Sequence, residues 1–128
     1  MSAIFQKLKK SLMELEQENG KVLLFALFLR ADALDKWDLL ISASWLDSSS
    51  FKAYDLVAAA IRRQLEASEI VKLDRFVILD PSDPTVLFLQ STYPVPNGSI
   101  KNVTDCAPLT DRFGFPIKQA SVLRCIEG

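Results

Sequence analysis

One carboxylate is placed where it could do chemistry. Asp38 opens the apolar run Trp37-Asp38-Leu39-Leu40-Ile41, and a carboxylate at the start of a strand is either a ligand for a hard divalent cation or a solvated strand-end charge. The chain has no histidine. That removes imidazole bases, Ser-His-Asp triads and mixed Cys/His zinc sites. Cys106 and Cys125 are too far apart for a zinc motif and read as ordinary free thiols. Ser48, Ser49 and Ser50 precede a helical pattern, so they are the candidates for holding an anion at a helix N-terminus.

Composition narrows the partners. Fifteen basic residues oppose sixteen acidic ones, for a formal charge of −1, with no basic stripe. That argues against nucleic acid. Trp37 and Trp45 fall at even spacing in one run and read as core aromatics before a base-stacking platform. Asp80, Ser82 and Asp83 look like loop and capping chemistry, because the spacing of a calcium loop is missing. Arg62-Arg63 reads as a solvated pair on a helix. The first ten residues, MSAIFQKLKK, lack a signal-peptide core, and Val22 to Leu29 is only eight residues, far short of a membrane span. The expectation is a cytoplasmic protein with no membrane association.

The elements around Asp38 follow from periodicity. Ile4, Leu8, Leu12 and Leu15 share one face of a helix over residues 2–19, stopped by Asn19-Gly20. Val22 to Leu29 is apolar on both alternating faces, as a central strand is. After a polar break at Asp32 to Lys36, Trp37 to Trp45 predicts a second strand. Its Trp37, Leu39, Ile41, Ala43 and Trp45 face the core, and Asp38, Leu40, Ser42 and Ser44 form a partly open face. Phe51 to Ala67 predicts a helix, with Tyr54, Val57, Ala58, Ile61 and Leu65 inward. Val71 to Leu79 predicts a third strand. Thr85 to Tyr93 carries two opposed signals. Its β-branched and aromatic residues favour a strand, while Asp83-Pro84 is a helix cap with proline at the first position; it is read as a strand. Pro94 to Gly98 is a turn, Cys106 to Gly114 a loop, and Ala120 to Ile126 a last strand. The expected fold is α+β: one domain over residues 1–128, with a mixed sheet of four to six strands and at least two packed helices.

Leu24-Phe25, Lys36-Trp37-Asp38-Leu39-Leu40-Ile41 and Leu73-Asp74-Arg75-Phe76-Val77, set in the order helix, strand, break, strand, helix, strand, carry a resemblance. Residues 2–90 look like the minimal nucleotidyltransferase domains related to DNA polymerase beta. In that family a Gly-Ser turn follows the first strand, an Asp-x-Asp pair leads the next, and a third Asp lies on a later strand. The resemblance implies Asp38 and Asp74 as surviving metal ligands. The Gly-Ser falls on Ala26-Leu27 and the first Asp on Lys36, which brings a positive charge where a cation should sit. Asp35 is the nearest replacement, although strand alternation argues against a simple exchange. The implied protein is a degenerate, non-catalytic binding or regulatory domain with no cofactor and no metal. It would act through a protein partner or self-association, with a nucleotide as candidate small ligand. The alternatives are an active magnesium-dependent nucleotidyltransferase using Asp38, Asp74 and Asp35, and a purely structural oligomerising protein. For Asp74 the plain reading is a pair with Arg75 or Lys72 at the sheet edge.

Overall fold

A computed structural model describes residues 2–31, 36–95 and 100–127. Strand β1 (Leu24–Arg30) lies at the middle of the sheet and is buried on both faces. Its alternation divides the core: Leu24, Ala26 and Phe28 join one apolar cluster, and Phe25, Leu27 and Leu29 join the other. Strand β2 (Trp37–Ser42) pairs antiparallel with β1, and β3 (Leu73–Ile78) pairs parallel with β2. On the other side of β1, β5 (Ile117–Cys125) runs antiparallel, and the short β4 (Lys101–Val103) closes that edge. The sheet order is β3-β2-β1-β5-β4. Among the described residues, five helices and this five-stranded mixed sheet make the expected α+β fold.

Helices α1 (Ser2–Asn19) and α2 (Phe51–Gln64) cover one face. Ile4, Leu8, Leu12 and Leu15 of α1 and Ala53, Val57, Ala60 and Ile61 of α2 are buried there. The buried Ser11 hydroxyl donates to the Ala60 carbonyl at 3.1 Å, so this small polar residue is satisfied between the two helices. The stop at Asn19-Gly20 is as read: Gly20 has φ 115°, a value that side-chain-bearing residues rarely adopt. Helix α2 ends at Gln64, and a separate turn, α3 (Ala67–Ile70), follows behind a capping box of Glu66 and Glu69.

The opposite face holds the main corrections. Thr85 to Tyr93 is not a strand; it lies in helix α4 (Pro84–Thr92) and its C-cap. The Asp83 carboxylate accepts from the Thr85 N–H at 2.8 Å, and Val86, Leu89 and Tyr93 fall three and four apart on the buried side. Cap chemistry and a single buried stripe outweigh the β-propensity of the segment. Cys106 to Gly114 is likewise not a loop, because Ala107–Phe113 forms α5, which ends at Gly114 in a left-handed conformation with φ 77°. Together α4 and α5 cover the face of β2 that was expected to be partly open. Asp38, Leu40 and Ser42 are all buried. The strand also stops at Ser42, and Trp45 lies beyond it, donating its indole N–H to the Lys21 carbonyl. The final strand begins at Ile117, three residues before its expected start. The expected turn at Asn97-Gly98 lies outside the described residues.

Burial against α4 and β1 has a titration consequence. The Cys125 thiol, fully enclosed, is pushed up to about 11 from an ordinary 9.0 by loss of solvent. The folded value exceeds the unfolded one, so the neutral thiol's contribution to stability is fully present below pH 9.0 and is lost as the pH rises toward 11. Native Cys125 is expected to resist iodoacetamide near neutral pH and to react promptly in urea. Pulsed alkylation with peptide mass spectrometry measures both rates, and equal rates would overturn the assignment.

Candidate functional site

Three neighbouring strands deliver charged side chains to one end of the sheet. Arg30 ends β1, Asp38 is second in β2, and Arg75 is third in β3. The pairing Trp37↔Leu73 would place Asp38 beside Asp74 if it continued without interruption. A bulge intervenes, and the partner of Asp38 becomes Arg75. One extra residue in β3 thus exchanges a carboxylate for a guanidinium. Asp74 is left exposed, and Arg75 is aimed across the sheet at Asp38.

The resulting contact is a two-pronged ion pair. Arg75 Nη2 donates to Asp38 Oδ2 at 2.6 Å, and Arg75 Nε faces Oδ1 at 3.3 Å. Arg30 Nη1 stands 3.9 Å from the same Oδ2, close enough for charge attraction but not for a hydrogen bond. Phe115 covers both cations, its ring centroid 4.7 Å from the Arg30 guanidinium carbon and 5.9 Å from that of Arg75. Beneath them Phe28 and Phe113 meet edge to face at 5.1 Å. A cavity of about 260 Å³ opens beside this cluster, walled by Val77, Leu79, Thr85, Phe113 and Phe115.

Asp38 is therefore not the solvated strand-end residue of the plain reading. It is 2% exposed, with both oxygens turned toward Arg75. A bidentate guanidinium occupies the lone pairs that a cation would use. Among the described residues no group of three or more carboxylate or thiol side chains is arranged to hold a metal. What the arrangement offers a ligand is aromatic faces, apolar walls and fixed charge.

The other candidates fall elsewhere. Asp35 lies outside the described residues, and Lys36 is exposed. Ala26 and Leu27 are fully buried inside β1, at positions where the family pattern puts a turn. Each of the three serines already has a partner. Ser48 donates to Asp80, Ser49 donates to Asp47 through both hydroxyl and backbone, and the Ser50 hydroxyl caps α2 by accepting from the Lys52 N–H. The two bonds from Ser49 hold the Asp47 carboxyl below its usual range, and that carboxylate next to the helix start opposes an incoming anion. Trp37 is a core aromatic, edge-on to Phe5 at 5.4 Å. Arg63 pairs with Glu14. Arg30, Arg75, Phe113 and Phe115 were missed as site residues. The bulge that aims Arg75 has no sequence signature, whereas Phe113-Gly114-Phe115, two aromatics around a helix-ending glycine, is a visible one. Comparison of the chain with family models, with curated proteins and with solved structures returns no match.

Proposed function

We propose that this protein is a non-catalytic binding or regulatory component, with the cavity beside Asp38 as its ligand seat. The observation that carries the reading is the Arg75 pair on Asp38, which turns the leading candidate metal ligand into a structural ion pair. Phosphoryl transfer needs metal ions and donors in place before the reaction. Lys36 and the buried Ala26-Leu27 offer neither. A degenerate nucleotidyltransferase-like ancestry accounts for that combination, with a nucleotide as candidate small ligand and a protein or second copy as candidate partner. The cytoplasm is the proposed compartment, on the strength of two unbridged, widely spaced cysteines.

The test is incubation with each labelled nucleoside triphosphate, magnesium or manganese, and candidate acceptors including the protein itself. No incorporation is expected, and calorimetry should detect no stoichiometric magnesium, manganese or zinc binding. Label transfer that disappears in both Asp38→Asn and Asp74→Asn would replace this reading with an active magnesium-dependent nucleotidyltransferase. Thermal stabilisation by a nucleotide that is lost in Phe115→Ala would support a retained nucleotide seat.

A further inference from the structure

The two edges of the sheet are built differently. β4 is three residues long and opens with a lysine, as edges that resist pairing do. β3 is six residues long and runs into the apolar stretch Phe76-Val77-Ile78-Leu79, with Phe76 and Val77 only half-buried. It is the last strand on its side, and among the described residues no strand pairs with its outer edge. Leu79 donates its N–H to the Ile41 carbonyl at 2.9 Å. Backbone groups alternate between the two sides of a strand, so Val77 also faces β2, while Phe76 and Ile78 turn N–H and C=O outward. Such a row is a template for another strand.

The charge pattern selects the occupant. A twofold axis normal to the sheet would set β3 antiparallel to β3 of a second copy and keep each side chain on its own face. The bulge precedes Arg75, so Arg75 to Leu79 would enter the pairing as regular strand. Centred on Asp74 or on Arg75, the pair opposes a charge to itself, and like charges directly opposite are destabilising. Centred on Val77, it sets Asp74 against Asp80; centred on Ile78, it runs Pro81 into the ladder. Centred on Phe76, it opposes no like charges. That register stacks Phe76 on Phe76 and brings Lys72 of each copy to Asp80 of the other. The ends of the strand agree. Val71, 65% exposed, stands just before β3. Phe51, 88% exposed, opens α2 close behind Ser48, whose hydroxyl donates to Asp80 at 3.0 Å. The antiparallel register carries Val71 of one copy toward Phe51 of the other, at both ends.

We propose that β3 is a self-pairing edge, through which two copies of this chain join antiparallel about Phe76 into one continuous sheet. The surface is small, so the dimer is weak and depends on concentration. Arg75 of one copy falls opposite Val77 of the other, a wall of the cavity beside Asp38, and the two cavities lie side by side. The proposal deepens the reading of this protein as a binding component by naming a second copy as its partner, and it does not require the cavity to hold a ligand.

Sedimentation equilibrium of the full chain, with residue-resolved amide hydrogen exchange at low and high concentration, tests it. Neither readout uses a nucleotide or a metal, so an empty cavity and an unpaired edge are separate results. Dimerisation is expected. The Phe76 and Ile78 amides should gain protection as the dimer fills, while Val77 and Leu79, turned to β2, exchange slowly throughout. Lys72→Asp and Asp80→Lys, both at exposed positions, each set like charges together twice and should weaken association about tenfold. The double variant restores both pairs and should recover most of that loss. A chain that stays monomeric up to about 1 mM overturns the proposal and leaves the edge to an extended segment of a different protein. Protection gained elsewhere than at Phe76 and Ile78 also overturns it, as do charge variants that leave association unchanged or a double variant that recovers nothing.

Discussion

Replacement of Leu39 by alanine is expected to destabilise the fold by about 2–5 kcal/mol, the range for truncating a buried leucine. Leu39 is fully enclosed and sits in register between Leu27 of β1 and Phe76 of β3, under the α1 and α2 layer. Both flanking strands are hydrogen-bonded to β2, so the backbone cannot close over the lost side chain, and a cavity remains. For a urea dependence of roughly 1–3 kcal/mol per molar, the unfolding midpoint should fall by about 2 M at the middle of both ranges. Leu87→Ala on α4 is the control. Leu87 is exposed, and its loss should change stability by only about 0.5 kcal/mol. A Leu39→Ala midpoint equal to that of the parent would show that β2 is not the core strand described above.

Much of the half containing α1, β1, β2, α2 and β3 was legible because each element keeps one period. Ile4, Leu8, Leu12 and Leu15 recur at helical spacing, and Val22 to Leu29 shows the unbroken apolarity of a strand covered twice. Helix α4 was not legible by that route. In Pro84–Thr92 the apolar residues Val86, Leu87, Phe88 and Leu89 are consecutive, so neither period stands out. Only the Asp83-Pro84 cap distinguished it, and that local signal proved the decisive one. Missing α4 and α5 left the second face of β2 without a cover, and Asp38 was consequently placed near water. The site failed to appear for a different reason. Asp38 and Arg75 are 37 positions apart, and their meeting depends on one bulge. Strand alternation extrapolated without it brings Asp74 to Asp38 and suggests a metal site where the chain builds an ion pair. Glu16 and Arg124, 108 positions apart, meet through another bulge of the same kind.

Arg75→Ala is expected to cost about 3 kcal/mol, at the low end for breaking a buried ion pair, because one partner is half in solvent. The asymmetry makes the result informative. The Arg75 side chain is 48% exposed and could be lost from a surface at little cost, whereas Asp38 is 2% exposed and would keep a buried charge. Arg30 remains nearby, but at 3.9 Å it offers attraction without a hydrogen bond. The expected loss therefore comes from the abandoned carboxylate rather than from the arginine. Introducing Asp38→Asn into the Arg75→Ala background removes that charge and should recover part of the stability, even though it deletes a second native group. Asp38→Leu with Arg75→Met, which replaces the pair by apolar volume, should come closer to the parent than Arg75→Ala alone. Urea unfolding of the parent, the single variants and the doubles forms the cycle that isolates the pairwise coupling. If Arg75→Ala were as stable as the parent, the pair would be a surface contact. Asp38 would then be free to take a cation, and the magnesium titration of that same variant is the measurement that would detect it.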